Sequence, residues 1–195
     1  MATSTRLNRR EAFTGVAFTG LAFTVGALSF GLAQPAAAQG LAQALAWAPV
    51  ALTQSQARAL DAVAEQIVPA TETPGARAAG VPQFVDRAIA GWCDKAQAVL
   101  LRGGLDGLDA DARAAHGVAF ADLTDAQQSA MLSTYDSSGA SQRPFFLTLR
   151  ELVTIGYFTS KPGATVALRY DPIPGAYHGC VPLKEIGRGW GALPG

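Results

Sequence analysis

The sequence contains few of the residues from which catalytic and metal sites are built. It has two cysteines, Cys93 and Cys180, and two histidines, His116 and His178, among 195 residues. The pair His178 and Cys180 supplies only two of the three or four ligands that zinc takes, and no Cys-x-x-Cys-His haem motif is present. His116 precedes a glycine at a predicted helix end, where a cation suits the helix dipole. The sequence therefore predicts no catalytic residue, no cofactor-binding residue and no metal ligand in this chain.

Glycine-rich and acidic stretches are present but do not form known catalytic motifs. Residues 103–107 and 187–189 are rich in glycine, yet neither stretch follows a strand, which makes them poor dinucleotide or phosphate sites. No Gly-x-Ser-x-Gly elbow occurs. Asp106, Asp109 and Asp111 are predicted to form a solvated helix face. A pair of carboxylates that works in acid–base catalysis would need burial to separate its two pKa values, and nothing in the sequence indicates such burial. A self-sufficient enzyme is therefore the least favoured reading.

The charges of the chain are close to balanced. The formal net charge is zero, and beyond residue 38 there are twelve basic and fourteen acidic residues. Such a balance does not favour binding to nucleic acid or to an anionic membrane. Beyond the N-terminal region no apolar run is long enough to span a bilayer, and no fixed-period repeat is visible.

The first 38 residues have the composition of an export signal. Arg9 and Arg10 precede a weakly apolar run over residues 12–32, and three alanines at 36–38 provide a cleavage site. The arginine pair predicts a twin-arginine-type signal peptide, with an ordinary secretory signal as the next alternative. The twin-arginine route exports folded proteins, so the mature chain is expected in the periplasm. Residues 39–52 are predicted to be a loosely ordered lead-in.

Residues 53–195 are predicted to fold as one all-α domain, a compact bundle of about five helices. Capping-box spacing at Thr53 and Thr124 marks two helix starts. A second helix is expected from Val81 up to the glycine pair 103–104, a third over 105–115, and the last from Phe145. No run shows sustained strand alternation, and residues 165–168 are the one short strand candidate.

The last helix has apolar residues on more than one side, and an irregular strap follows it. One broad side is predicted to be buried, and it consists of Phe145, Phe146, Leu149, Leu152, Val153, Gly156 and Tyr157. Leu147, Ile155 and Phe158 point elsewhere. The strap, residues 170–182, reads YDPIPGAYHGCVP, and its prolines exclude a helix interior or a central strand. Such a strap either folds back over its own helices or lies on another protein.

Several motifs together resemble the gluconate 2-dehydrogenase subunit 3 family. They are the run 151–160, the Lys-Pro-Gly turn at 161–163, the strap, and the segment 60–86 with its IVPAT, TPGAR and GVP sequences. The resemblance implies a small, non-catalytic subunit of a periplasmic, flavin-dependent sugar or sugar-acid dehydrogenase. It also implies a glucose–methanol–choline-type partner that holds the FAD, and often a multihaem cytochrome c subunit. The expected function is to bind, stabilise and co-export that partner.

The strap and the outer side of the last helix are the predicted partner interface. The proposed contact residues are Phe158, Tyr170, Pro174, Tyr177 and Cys180. Three states of the cysteines are open: a Cys93–Cys180 disulfide, two free thiols, or a bond from Cys180 to a partner chain. The alternative function is a free-standing periplasmic binding protein, whose pocket would use Tyr157 and the two strap tyrosines.

Overall fold

A computed structural model of the protein describes residues 45, 47–137, 139–173, 175 and 180–191. Five helices of eleven residues or more form the domain: α1 (Gln54–Ile67), α2 (Val81–Gly91), α3 (Lys95–His116), α4 (Asp125–Asp136) and α5 (Arg143–Thr159). Three short elements accompany them: a 3₁₀ turn (Phe120–Asp122), a π-helical turn (Gly163–Ala167) and α6 (Leu183–Ile186). The described residues contain no strand, so the predicted all-α bundle is confirmed.

Like α1, helix α5 contacts each of the other four long helices, so it lies at the centre of the bundle. Its predicted buried side is confirmed: six of the seven residues are buried and Leu152 is half-buried. Ile155 and Phe158 lie on the other side and are exposed. Among the described residues, no helix combines the length and the apolar character that crossing a bilayer would require.

Reciprocal hydrogen bonds close the N-termini of three long helices. In each, the side chain of the cap residue accepts from a backbone N–H three residues on, and the glutamine there accepts from the cap backbone. The pairs are Thr53 with Gln56, Asp94 with Gln97, and Thr124 with Gln127. The first and third were predicted, and the Asp94 cap was missed.

The predicted boundary between the second and third helices is wrong. Helix α2 ends at Gly91. Helix α3 begins at Lys95 and continues without interruption through Gly103 and Gly104, which were expected to end the helix. The Asp94 cap explains the new start. Gly104 explains the continuation: a Cβ there would collide with the ring of Phe145, so the residue lets α3 and α5 approach closely. Cys93, expected inside a helical stripe, lies in the break and is half-buried.

The three aspartates on α3 were predicted to form a solvated helix face, and this prediction is wrong, because each has a hydrogen-bond partner within the fold. Asp109 is buried and accepts from the backbone N–H of Phe120 at 2.9 Å and from Arg113 at 3.0 Å. A buried carboxylate needs such donors, because an unpaired charge in the interior is costly. Asp109 thereby ties the 3₁₀ turn to α3.

The other two aspartates also have partners on neighbouring helices. Both carboxylate oxygens of Asp106 lie 3.0 Å from the side-chain nitrogen of Gln56, in α1. The Tyr135 hydroxyl, in α4, donates to Asp111 at 2.6 Å. Burial of the ring, the hydrogen bond and the Asp111 charge together raise the pKa of Tyr135 above its ordinary value. These contacts fix α1 and α4 against α3.

Asp86 fixes the chain just before α1. Asp86 is only 1 % exposed. Its carboxylate accepts hydrogen bonds from the backbone N–H groups of Val50 at 2.6 Å, Ala51 at 3.0 Å and Leu52 at 3.0 Å. Residues 50–52 were assigned to the loosely ordered lead-in, yet each has its N–H bound to this carboxylate. Sequence pattern did not single out Asp86, because its partners are 34 to 36 residues away.

Candidate partner interface

The C-terminal end of α5 presents a rigid apolar surface. Ile155 and Phe158 are three residues apart, so they share one side of the helix, and Phe158 is 40 % exposed. The Phe158 ring meets the buried Tyr157 edge-on, with 5.2 Å between ring centroids. Tyr157 is itself fixed, because its hydroxyl donates to the carbonyl of Pro74 at 2.8 Å. Phe158 is therefore an exposed aromatic on a well-anchored support.

A tight turn redirects the chain after α5. The Ser160 hydroxyl donates to the Tyr157 carbonyl at 2.6 Å and accepts from the backbone N–H of Gly163 at 3.1 Å. Gly163 is buried, and a Cβ there would collide with that same carbonyl, so only glycine fits. The predicted turn at 161–163 thus leads into the π-helical turn, which occupies most of the former strand candidate. It keeps the following residues packed against the end of α5.

After the π-helical turn the chain forms a loop, and residues 189–191 return to contact Arg169. The backbone N–H of Arg169 donates to the carbonyl of Gly189 at 2.8 Å, and the N–H of Gly191 donates to the carbonyl of Arg169 at 2.8 Å. The Arg169 guanidinium also lies 4.7 Å from the ring centroid of Trp190. We call residues 170–188 the C-terminal loop, and these contacts at its base the clasp. The loop contains the strap, and the clasp holds its two ends together.

The described part of the strap faces solvent rather than the helices. Ile173 is 83 % exposed, and Val181 and Cys180 are also exposed. Tyr170 is half-buried. Of the predicted contact residues, Phe158 and Cys180 are therefore exposed and Tyr170 partly so. Pro174, Tyr177 and His178 lie outside the described residues, as do the signal residues Arg9 and Arg10.

Both cysteines are free thiols in the structure, and the Cys93–Cys180 disulfide stays a prediction. Cys93 is half-buried beside Asp94, and burial, reinforced by that negative charge, raises the pKa of its thiol. Cys180 is exposed on the strap. A bond from Cys180 to a partner chain stays a prediction.

A second exposed aromatic was missed from the sequence. Trp92 follows α2 directly and is 76 % exposed, although its spacing from Phe84 and Ala88 is that of a buried helical stripe. Its ring meets Phe84 edge-on at 5.4 Å, and a Cβ on Gly156 would lie 2.6 Å from the Phe84 ring. Trp92 thus rests on a residue that packs against α5.

Two clefts formed by the described residues are open to solvent rather than enclosed. The larger one, about 310 Å³, is open and is lined by two ion pairs, Arg58 with Asp122 and Arg77 with Asp61, each at 2.5 Å. Over the part of the chain that the structure describes, no three His, Cys, Asp or Glu side chains are grouped to hold a metal ion. The described geometry presents an exposed apolar surface at the end of α5 and a loop whose ends are held together.

These features define a class, a small all-helical protein with apolar groups displayed at the end of its central helix and on the loop that follows. The model of one family, described as gluconate 2-dehydrogenase subunit 3, matches residues 54–175, from the start of α1 into the strap. The chain belongs to this family, whose members are accessory subunits of a dehydrogenase complex. No curated protein and no solved structure shows a significant match.

Proposed function

We propose that this chain is the non-catalytic small subunit of an exported flavin-dependent dehydrogenase. It binds and stabilises, in a chaperone-like way, a glucose–methanol–choline-type partner that holds FAD and oxidises a sugar, a polyol or a sugar acid. Family membership supports the dehydrogenase complex. In this account the chain itself holds no cofactor, and the oxidation takes place wholly in the partner.

The observation that carries the proposal is the exposure of Phe158 and Ile173 within the segment that defines the family. Both residues lie inside the matched region, and both are large apolar side chains in contact with solvent. Contiguous exposed apolar groups mark protein–protein contact sites, and Phe158 shares its side of α5 with the exposed Ile155. Aromatic anchors on rigid supports are also the residues that dominate binding energy at interfaces.

The predicted export signal gives the complex its route. Arg9 and Arg10 direct the twin-arginine pathway, which carries folded proteins. A flavoprotein that binds its FAD in the cytoplasm and lacks a signal of its own would cross the membrane bound to this chain. The complex would then work in the periplasm at the inner membrane, where a multihaem cytochrome c subunit would receive the electrons.

Expression of the flavoprotein with and without this chain tests the proposal. We expect dye-coupled dehydrogenase activity in the periplasm only when both chains are present and Arg9 and Arg10 are intact. Replacing both arginines with lysine should leave the flavoprotein in the cytoplasm. Undiminished periplasmic activity in the absence of this chain would overturn the proposal.

The alternative, a free-standing binding protein, gains no support from the described residues. Its pocket would need Tyr157, whose ring is buried and whose hydroxyl already donates to Pro74. Tyr170 is half-buried in the loop, and Tyr177 lies outside the described residues. A ligand site there would also need an enclosed apolar cavity.

A further inference from the structure

Trp92 is a large apolar side chain that the fold leaves uncovered. It follows the last residue of α2 and is 76 % exposed. A single exposed apolar residue needs no explanation, because such residues are scattered over the surface of every soluble protein. Trp92 is not isolated, however, since its ring meets the Phe84 ring edge-on, with 5.4 Å between centroids. The neighbours of Phe84 therefore decide whether Trp92 belongs to a larger surface.

Phe84 connects Trp92 to α5. The Phe84 side chain is half-buried between α2 and α5, and a Cβ on Gly156 would lie 2.6 Å from its ring. Because residue 156 has no side chain, the ring lies directly against the α5 backbone. Trp92 is thus linked through one ring to the helix that carries Phe158.

The exposed apolar side of α5 begins at this groove between the two helices. In one direction around α5 from Gly156 lies Val153, which is buried. In the other direction lies Leu152, which is half-buried, followed by Ile155, which is 43 % exposed. Phe158 lies further round the same way and one turn onward. The exposed apolar residues of α5 therefore border the groove that holds Phe84.

We infer that Trp92 is a second anchor of the flavoprotein interface. The partner then covers one continuous apolar surface, from Trp92 across the groove to Ile155 and Phe158, which we call the α2–α5 surface. The inference rests on the proposed function and extends the interface from α5 and the strap onto α2. Both Trp92 and Phe158 lie within the region that the family model matches.

Continuity with Phe158 identifies the flavoprotein as the occupant of this surface. A specific interface buries about 800 Å² on each partner, far more than one aromatic side chain provides. A partner seated on Phe158 must therefore extend onto neighbouring surface, and the groove with Trp92 is apolar surface of that kind. Tryptophan is also among the residues that dominate binding energy, and a ring already supported by Phe84 loses less freedom on binding.

Substitution of Trp92 in the mature chain tests the inference. The probe is the purified FAD-containing partner subunit, and the measurement is its dissociation constant. We expect Trp92→Ser to weaken binding by about 10-fold or more and Trp92→Phe to recover part of the affinity. The matched control is Val50→Ser. Val50 is 75 % exposed, but its N–H is bound to Asp86, which lies on the opposite side of α2 from Phe84. This control should change the affinity by less than about 2-fold.

A second measurement needs no substitution and therefore does not depend on the folding of a variant. Hydroxyl-radical footprinting with mass spectrometry reports the exposure of the Trp92 side chain in the free wild-type chain and in the complex. We expect Trp92 to be oxidised readily in the free chain, because its ring is largely exposed, and to be protected at least about 5-fold in the complex, where the partner excludes water from an anchor residue.

The outcomes separate this inference from the proposed function. A Trp92→Ser variant that binds like wild type, equal losses in Trp92→Ser and Val50→Ser, or a Trp92 that stays oxidisable in the complex would overturn the inference alone. Self-association of the mature chain that Trp92→Ser abolishes, with no change in flavoprotein affinity, would assign the surface to a second copy and also overturn it. Failure of the wild-type chain to form any complex would overturn both.

Discussion

The ring of Phe145 in α5 lies directly against the backbone of Gly104 in α3. This contact occurs at the point where two long helices of the core approach each other, and it leaves no room for a side chain on residue 104. Gly104 therefore serves packing, although glycine is a poor residue for a helix interior.

Replacement of Gly104 by alanine should destabilise the domain. The new methyl group would displace Phe145, and overpacking of this kind costs about 1–3 kcal/mol, which exceeds the roughly 1 kcal/mol that alanine gains in helix propensity. Gly103→Ala is the matched control, because a Cβ there meets nothing within 4 Å. Urea unfolding should show a loss for Gly104→Ala and a small gain for Gly103→Ala. A gain in both would contradict the close contact.

Removal of the Asp86 carboxylate should release the segment before α1. The carboxylate satisfies three backbone N–H groups, so Asp86→Ala should cost about 2–4 kcal/mol of unfolding free energy. Hydrogen exchange at residues 50–52 should rise in the same variant. The control is Glu72→Ala, at an exposed loop position, which should change the stability by less than about 0.5 kcal/mol. Protection at 50–52 that survives in Asp86→Ala would show that other contacts hold the segment.

Stability should fall at alkaline pH through Tyr135. Its pKa is raised in the folded protein by burial and by Asp111, so the neutral phenol stabilises the fold at all pH values below the unfolded pKa of about 10. Above that pH the contribution is lost progressively. Tyr135→Phe should be less stable at pH 7 by about 1 kcal/mol, through loss of the hydrogen bond, and its stability should fall less between pH 9 and 11. The same alkaline loss in both proteins would rule out Tyr135 as the source.

The two thiols should react at different rates. Cys180 is exposed, whereas Cys93 is half-buried with a raised pKa, and thiolate fraction and access together control reaction with disulfide reagents. Titration of the isolated mature chain should label Cys180 at least 10-fold faster, with Cys180→Ser removing the fast phase. If neither thiol reacts until a reductant is added, a Cys93–Cys180 disulfide is indicated instead.

Local signals predicted the helices well. The sequence alone identifies the capping boxes at Thr53 and Thr124 and the apolar side of α5, because each depends on residues three or four positions apart. The Asp94 cap has the same form but was hidden by an apolar pattern that continues through Trp92. Its recognition would have placed the break between α2 and α3 correctly.

Features that depend on distant residues could not be predicted in this way. The packing role of Gly104 depends on a ring 41 positions later in the chain, and that of Asp86 on backbone groups more than 30 residues earlier. The exposed side of α5 and the strap followed from composition, whereas the clasp between Arg169 and Trp190 did not. Closure of the C-terminal loop required the structure.

Binding of the purified flavoprotein to the mature chain tests the central claim most directly, with Phe158→Ser compared against Val118→Ser. The two side chains are exposed to similar extents, 40 % and 42 %, but only Phe158 lies on the proposed interface. Loss of a rigid aromatic anchor should weaken binding by 10-fold or more, whereas Val118→Ser should bind like wild type. Equal affinity of all three proteins, or no complex with wild type, would contradict the account.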